Sequence, residues 1–151
     1  MRDNVCRAKT KDTKVWIEGY YACESNHACF GNELKYTHFI FKDEFLDWGI
    51  GGLVQYEVVP ETVGRYTGLT DKNGKKIFEG DYIVCRQKIE GNFIDEYIEK
   101  GYVEMKHGAF GLHRKQGYYR PFKDWLEDYE YEVRGNIHDN PELLKAGDDN
   151  A

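Results

Sequence analysis

The sequence predicts a mostly β protein built from antiparallel strands, with a few short helical turns. Two observations support this prediction. Aromatic residues make up 15 % of the 151-residue chain, and aromatic and β-branched residues fit the pleated surface of a sheet. They occur in short runs separated by glycine-containing turns, which is typical of strands joined by hairpins. A chain of this length can bury a core as one domain, or as one domain with a subdomain.

Three strands are predicted in the N-terminal part, at residues 15–23, 36–41 and 53–59. Each run is rich in aromatic and β-branched residues. Pro60 marks the end of the third strand, because proline is confined to the ends and edges of sheets. Residues 43–52 mix acidic, aromatic and glycine residues, so they fit one helical turn or an ordered loop equally well.

A tight hairpin turn is predicted at Asn73 and Gly74. This dipeptide is the one that a two-residue turn of the primed type demands, because both of its central residues need positive φ. The turn is expected to join strands that include Tyr66 and Ile77.

A second turn is predicted at Gly80 and Asp81, just before an apolar strand. We expect Asn73, Gly74, Gly80 and Asp81 all to be structural turn residues. Calcium binding is not expected there, because the segment lacks the glycine and the closing glutamate that a calcium loop places at fixed positions.

The C-terminal half alternates strands with turns in a way that resembles an SH3-like small barrel. The predicted strands are residues 82–85, 96–106, 109–113 and 129–135, with a helical turn at 121–126. The residues predicted to form its core are Ile83, Val103, Phe110, Leu112 and Val133, with Trp125 nearby. A short helix should follow, with Asn140 as its N-cap and Pro141 at its first position.

This pattern suggests a division of the chain. Residues 1–60 form an N-terminal β region packed on or beside the barrel, residues 61–146 form the barrel, and residues 147–151 form a polar tail. The alternative is that the whole chain is one domain.

The segment from Glu61 to Val84 resembles the signature of the YopX family. The matching runs are Gly64-Arg65-Tyr66-Thr67-Gly68-Leu69, Asp71-Lys72-Asn73-Gly74 and Glu79-Gly80-Asp81. The ending at residues 135–144 and the opening, Arg7-Ala8 followed by residues 15–19, are also similar to that family. The resemblance implies a β-rich protein of the kind encoded mainly by bacteriophages and prophages. It implies no established biochemical activity.

The net charge and hydropathy of the chain limit the partners and the cellular compartment that we expect. The net charge of −6 argues against a protein that binds nucleic acids non-specifically, since such binding rests on lysine and arginine neutralising phosphates. The N-terminus lacks the apolar segment of a signal peptide, and no apolar run approaches the ~20 residues that span a bilayer. We therefore expect a soluble protein in the cytoplasm of the host cell, without a membrane partner.

The cysteines offer one weak candidate for a metal site, formed by Cys23, His27 and Cys29. Zinc sites usually pair cysteines two to four residues apart and repeat the pair downstream, and this chain does neither. In a cytoplasmic protein the default is a reduced thiol. We therefore predict no metal and no cofactor.

One stretch of the C-terminal half combines cations with aromatic rings. The candidate binding residues are Arg114, Lys115, Tyr118, Tyr119, Arg120 and Lys123. Such residues can stack nucleobases and hold phosphates. The alternative, which carries more weight, is that the rings close the barrel while the cations stay in water. The acidic segment 124–132 would repel a nucleic acid, or pair with the basic segment of a second subunit.

These observations favour a phage accessory protein that acts as a binding or assembly module. Tyrosine-rich strand edges tend to pair, so we expect a homo-oligomer, with an unidentified host or phage protein as a further partner. A nucleic-acid-binding small barrel is the alternative. An enzyme is the least favoured: His107 or His113 could form a dyad with Asp81 or Glu104, but the sequence contains no nucleophile motif or phosphate-binding loop.

Overall fold

The computed structural model describes residues 4–26, 35–45, 49, 51–89, 92–114, 117–124 and 128–146. In these ranges the strands are β1 Cys6–Lys9, β2 Trp16–Asn26, β3 Lys35–Phe45, β4 Gly51–Glu57, β5 Gly64–Thr70, β6 Lys76–Phe78, β7 Asp81–Ile89, β8 Asn92–Lys106, β9 Ala109–His113, β10 Tyr119–Pro121 and β11 Tyr129–Asn136. Short 3-10 turns occupy Pro60–Thr62 and Phe122–Asp124, and helix α1 spans Glu142–Ala146. The mostly β, antiparallel prediction is confirmed. Within the described ranges, no helix is long and apolar enough to cross a membrane.

The chain forms two compact units, Met1–Tyr66 and Thr67–Ala151. The division falls within β5, whereas the sequence analysis sets it at residue 60, before that strand. The predicted polar tail lies outside the described residues.

The first unit contains a sheet with the strand order β4-β3-β2-β1-β5. Its buried residues are Ala8, Ile40 and Val58, against which Cys6, Ile17 and Val63 pack. Because side chains alternate along a strand, these residues share one face of the sheet, here called the inner face. The side chains of Phe39 and Phe41, on either side of Ile40, belong to the opposite, outer face. Residues 43–45, which fitted a helical turn or a loop, continue β3 instead.

The second unit contains the end of β5, its neighbour β6, and a five-stranded sheet with the order β10-β9-β8-β7-β11. Strands β7 to β10 form a meander, a 3-10 turn follows, and β11 returns beside β7. The order of strands, a short helical turn and a last strand is the order that the sequence analysis compared to an SH3-like barrel. Among the described residues, β10 and β11 are the ends of the sheet, so its closure into a barrel stays a prediction.

The core of the second unit largely matches the predicted set. Ile83, Val103 and Leu112 are buried in it, and Phe110 and Val133 pack against it while partly exposed. Trp125 lies outside the described residues. Four buried residues of this core lie outside the predicted set, namely Ile77, Cys85, Phe122 and Tyr131. Cys85 and Tyr131 face each other across β7 and β11, so strand pairing rather than local pattern brings them inside.

The turn at Asn73-Gly74 differs in type from the prediction. The amide of Asp71 donates to the carbonyl of Lys75 at 2.8 Å and the amide of Gly74 donates to the carbonyl of Asp71 at 3.0 Å, so the loop has three residues rather than two. Gly74 has φ +77°, while Asn73 is not among the residues with positive φ. A type I turn followed by a left-handed glycine has this geometry.

The Asp71 side chain explains why the longer turn forms. Its Oδ1 accepts hydrogen bonds from the amides of Asn73 at 2.8 Å and Lys75 at 2.9 Å. Its Oδ2 accepts one from the amide of Val133 on β11, at 3.2 Å. A side chain that bonds its own turn competes with the two-residue geometry. The same carboxylate fastens the turn to β11, where the amide of Lys72 also donates to the carbonyl of Tyr131 at 2.9 Å.

The primed turn occurs elsewhere, at His107-Gly108 between β8 and β9. These residues have φ +52° and +79°, and Lys106 pairs with Ala109 around them. Two consecutive residues of positive φ closing a two-residue loop are the mark of a type I′ turn.

The turn at Gly80 and Asp81 connects β6 to β7, as predicted. Gly80 has φ +89°; its amide donates to the carbonyl of Val103 and its carbonyl accepts from the amide of Ile137. The buried Asp81 carboxylate accepts a hydrogen bond from the amide of Phe78 at 2.8 Å. The glycine and the aspartate of the signature are therefore junction residues of the fold.

The first prediction concerns Gly74. Gly74→Val should lower the free energy of unfolding by ~1 kcal/mol or more, because a β-branched residue resists positive φ. Asn73→Val is the matched control and should cost less, since position 73 has an ordinary backbone conformation. Denaturant melts of both variants check this. Equal losses of stability in the two variants would mean that both positions need positive φ, as in the primed two-residue turn, and would contradict the three-residue loop.

A second prediction concerns the pH dependence of stability. Burial by itself raises the pKa of Asp71, but the amide hydrogen bonds from Lys75, Val133 and Asn73 outweigh it and hold the pKa below its usual value. A carboxyl whose pKa is lower in the folded than in the unfolded protein stabilises the fold at pH values above its unfolded pKa, which is about 3.9 for aspartate. This stabilisation is lost as the pH falls through the unfolded pKa and then through the folded pKa.

Asp71→Asn should therefore be less stable at neutral pH by about 1–3 kcal/mol, and should lose less stability than the wild type on acidification. Thermal melts between neutral and acidic pH give both quantities. Asp43→Asn is the control, because Asp43 is exposed and its carboxylate accepts no hydrogen bond from the described residues. Parallel pH profiles for the wild type and Asp71→Asn would contradict the assigned role.

Candidate functional site

The six residues of the predicted binding patch do not share one face of the sheet. Arg114, which follows β9, and Arg120 on β10 are brought together. Tyr119 precedes Arg120 on the same strand, so the alternation of side chains places it on the opposite face. Tyr118 is exposed, as is Lys123 on the 3-10 turn. Lys115 lies outside the described residues.

A glutamate that the sequence analysis did not select joins the two arginines. Oε1 of Glu99 on β8 accepts hydrogen bonds from Nη2 of Arg114 and from Nη1 of Arg120, the latter at 3.0 Å. The Glu99 side chain is only 16 % exposed, and its Oε2 has no hydrogen-bond partner in the described part of the chain. Alternation along the predicted strand 96–106 puts Glu99 on the same face as Val103, which was the available signal.

This cluster, formed by Glu99, Arg114 and Arg120, reduces the positive charge available to a ligand. One carboxylate offsets one of the two guanidinium charges, and it holds both arginines against β8. The arrangement links β8, β9 and β10 at the edge of the hydrophobic core. A structural role for these arginines is therefore better supported than the holding of phosphates.

Tyr119 is held by the hairpin on the other face. Its hydroxyl donates to the carbonyls of Ala109 and, at 3.3 Å, Lys106. The Lys106 ammonium lies 5.9 Å from the centre of the Tyr119 ring. The Tyr119 ring therefore packs over the turn that joins β8 and β9.

A carboxylate–imidazole pair lies on the same face as Tyr119. Nδ1 of His113 is 2.7 Å from Oε2 of Glu104, and the imidazole stacks on the ring of Tyr102 with centroids 4.7 Å apart. It is one of the dyads that the sequence left open, which could have used His107 or His113 with Asp81 or Glu104. Among the described residues, no hydroxyl or thiol is hydrogen-bonded to His113, so the pair has an orienting carboxylate but no adjacent nucleophile of the kind that covalent catalysis uses.

The candidate metal ligands fall mostly outside the described residues. His27 and Cys29 lie there, while Cys23 is exposed on β2 opposite His38 on β3. Nδ1 of His38 is 2.6 Å from the Tyr21 hydroxyl. In the described part of the chain, no group of three or more histidine, cysteine or acidic residues is placed to hold a metal ion.

The outer edge of β4 stands apart from the other sheet edges. The amide of Val58 donates to the carbonyl of His38 on β3. Because the direction of backbone groups alternates along a strand, Val54 and Tyr56 also direct their backbone groups toward β3. Leu53, Gln55 and Glu57 direct theirs away from it.

Within the described part of the chain, hydrogen bonds occupy only the end of that outer edge. The carbonyl of Glu57 accepts from the amide of Lys11 at 2.9 Å. The outward backbone groups of Leu53 and Gln55 have no partner among the described residues. An open cleft of about 300 Å³ lies alongside, lined by Lys11, Asp12, Gln55, Tyr56 and Glu57.

The edges of the five-stranded sheet are protected in ways that β4 is not. Strand β10 has three residues and includes Pro121, which has no amide to offer. On β11, Tyr131 and Val133 bond to the Asp71 turn, and the pairing contains a bulge between Val133 and Gly135. Short length, proline and bulges are the usual defences of edge strands. Strand β4 is seven residues long, with Glu57 at its end as its one charged residue.

The family model described as YopX protein matches residues 4–145. The chain belongs to the YopX family. The match covers the signature, whose Asp71, Gly74, Gly80 and Asp81 form the junctions described above. A solved structure, that of protein EF1440 from Enterococcus faecalis, is similar with 24 % identity over 92 % of this chain and 96 % of that one, at a TM-score of 0.48. Among curated proteins, none matches this YopX chain.

The structure predicts a contrast between two cysteines. Cys85 is fully buried, and burial, with the nearby Glu99 carboxylate, strongly raises the pKa of its thiol. Since the thiolate is the reactive form, iodoacetamide should label the exposed Cys23 in the native protein and Cys85 only after denaturation. Peptide mass spectrometry with and without guanidinium chloride checks this. Native labelling of Cys85 as fast as Cys23 would contradict its assigned burial.

Proposed function

We propose that this YopX protein is an assembly module that pairs with a second copy of itself through β4. The observation that carries the proposal is the unprotected outer edge of that strand. Unpaired backbone groups in a long, nearly uncharged edge strand are a template for strand addition. The resemblance to proteins encoded by phages and prophages supports an accessory role in the host cytoplasm as the setting.

The sequence of β4 suits pairing with itself. In an antiparallel pair around a twofold axis at its central residue, Val54 meets Val54 of the second copy. Leu53 then lies opposite Gln55, and Gly52 opposite Tyr56. The two bulky residues at the end of the strand, Tyr56 and Glu57, each face a glycine of the second copy. An isologous contact of this kind closes as a dimer.

The backbone groups agree with this register. Leu53 and Gln55 both direct their amides and carbonyls outward, so they form hydrogen-bonded pairs across the axis, while Val54 forms the closer pair without hydrogen bonds. About four backbone hydrogen bonds result, worth ~1 kcal/mol each. Association costs about 4–15 kcal/mol, so burial of side chains such as Leu53, which is 61 % exposed, must contribute. The expected dimer is weak and depends on concentration.

The alternatives are less well supported. For nucleic-acid binding, the two arginines of the predicted patch share the Glu99 carboxylate and Tyr119 lies on the opposite face. For catalysis, the Glu104–His113 pair has no hydrogen-bonded nucleophile in the described part of the chain.

The decisive test replaces one outward amide. Gln55→Pro removes an N–H that points away from β3, and proline is tolerated at such edge positions. The variant should be monomeric at concentrations where the wild type dimerises. Gln55→Ala is the matched control; it keeps the amide and should still dimerise. Sedimentation velocity across a dilution series, at low and high salt, measures both.

A second variant fixes the register and remains informative if Gln55→Pro folds poorly. In a Cys23→Ser background, Val54→Cys should form an intermolecular disulfide, since residues in a close pair have Cα atoms about 4.5 Å apart, within reach of a disulfide. Leu53→Cys in the same background is the control, because its equivalent in the second copy lies diagonally, about 7–8 Å away. Equal cross-linking of both variants, or a monomeric wild type at every concentration, would overturn the proposal.

A further inference from the structure

The turn between β5 and β6 contains a pair of residues that can react with each other, Asn73 and Gly74. It is the only place in the sequence where asparagine precedes glycine. Both residues are exposed, and among the described residues the Asn73 side chain forms no hydrogen bond. A Cβ added to Gly74 would meet no atom of a more distant residue within 4 Å. The Asn73 side-chain amide and the Gly74 backbone nitrogen are therefore adjacent along the chain and open to water.

The reaction that this pair allows is deamidation through a cyclic imide. Its two groups belong to one chain, so no collision between molecules is needed to bring them together. The Gly74 nitrogen gives up its proton to the solvent and attacks Cγ of Asn73, so that a carbon–nitrogen bond forms. The side-chain nitrogen takes up a proton from water and leaves as ammonia. Water then opens the imide at either of its carbonyl carbons, which yields aspartate or isoaspartate at residue 73. Glycine favours the attack, because it has no Cβ beside the attacking nitrogen.

Hydrogen bonds of the folded turn restrain this reaction. The Gly74 amide, which must lose its proton, donates to the carbonyl of Asp71 at 3.0 Å. The Asp71 carboxylate holds the amides of Asn73 and Lys75 on either side of Gly74. The Gly74 nitrogen is free to attack only when this turn opens, so the rate of deamidation follows the local opening of the turn.

Two asparagines near the end of the chain lack this combination. Asn136 is buried and precedes an isoleucine, and its Oδ1 accepts hydrogen bonds from the amides of His138 and Asp139. Asn140 precedes Pro141, whose nitrogen carries no hydrogen and cannot attack. Both asparagines serve as internal controls for the reaction at residue 73.

We propose that Asn73 is a site of spontaneous deamidation, and that the Asp71 turn controls how fast it reacts. Both products place a second carboxylate beside that of Asp71, where like charges repel, and isoaspartate also adds a methylene group to the backbone of the loop. Because Oδ2 of Asp71 accepts from the amide of Val133, the modification also loosens the contact that covers the edge of β11. The site lies in the second unit and does not depend on pairing through β4.

Peptide mass spectrometry after incubation at mildly alkaline pH tests the proposal, since each conversion replaces an amide by an acid. In guanidinium chloride, Asn73 should deamidate faster than Asn136, and Asn140 should not react by this route. In the folded wild type, Asn73 should react at least about tenfold more slowly than in guanidinium chloride, because several hydrogen bonds must break before the nitrogen is free. Equal rates in the folded and unfolded protein, or a faster reaction at Asn136 in the unfolded protein, would overturn the proposal.

Variants separate the role of the turn from that of the sequence. Asp71→Ala, shown to be folded by circular dichroism, should deamidate at Asn73 about tenfold faster than the folded wild type. Asp43→Ala is the matched control at an exposed carboxylate and should stay within about twofold of the wild type. Gly74→Ala in guanidinium chloride should react more slowly than the unfolded wild type, because its Cβ hinders the attack.

A wild-type rate in folded Asp71→Ala would contradict the control by the turn. If that variant does not fold, the comparison of folded with unfolded wild type still decides the question. The deamidated protein, separated by ion exchange, should exchange the Val133 amide faster than the unmodified protein does. Equal exchange at Val133 in the two forms would contradict the effect on the edge of β11.

Discussion

Asp71 places one carboxylate where three backbone amides converge, from Asn73, Lys75 and Val133. Two of these bonds set the shape of a turn, and the third joins that turn to the outer edge of β11. Burial of a carboxylate is costly unless hydrogen bonds satisfy it, and here they do so well enough to lower its pKa. The hairpin after β5 and the last strand of the second sheet therefore depend on the same group. Removing the carboxylate would leave the turn without its two side-chain hydrogen bonds and would leave the Val133 amide at the edge of β11 without its acceptor.

The protection of strand edges relates the Asp71 hydrogen bonds to the proposed function. The second unit closes one edge with the Asp71 turn and shortens the other to three residues that include Pro121. Among the described residues of the first unit, only the end of β4 is covered on its outer edge, through the hydrogen bond from Lys11 to Glu57. A fold that protects two of its edges and leaves a seven-residue, nearly uncharged strand open is consistent with a partner at that strand. The glycines at one end of β4 and the bulky residues at its other end come to lie opposite each other in an antiparallel pair of two copies, which favours a second copy as the partner.

Local patterns predicted the fold class and the element positions well, because glycine turns and aromatic runs act over a few residues. Gly74 and Gly80 have the positive φ that their sequence context suggested. Asn73 does not, because the Asp71 side chain bonds the amides around it and favours a three-residue loop. The type I′ turn formed instead at His107-Gly108, where neither neighbouring residue offers a competing carboxylate.

The side-chain clusters were harder to predict, because they depend on pairing between distant strands. Arg114 and Arg120 looked like part of one basic patch, but only the β8–β9–β10 register shows that Glu99 lies between them. The grouping of rings on the outer face of the first sheet has the same origin: Tyr20, Phe41 and Leu53 are far apart in sequence and share a face only once β2, β3 and β4 are aligned.

Amide hydrogen exchange measured at several protein concentrations tests the central claim about edges most directly. The amide of Val133, which donates to Asp71, should be protected to the same extent at every concentration. The amides of Leu53 and Gln55 should exchange rapidly in dilute protein and slow as the concentration rises and β4 pairs with its copy. Exchange at Leu53 and Gln55 that does not change with concentration, or a Val133 amide that exchanges as fast as they do in dilute protein, would contradict this account.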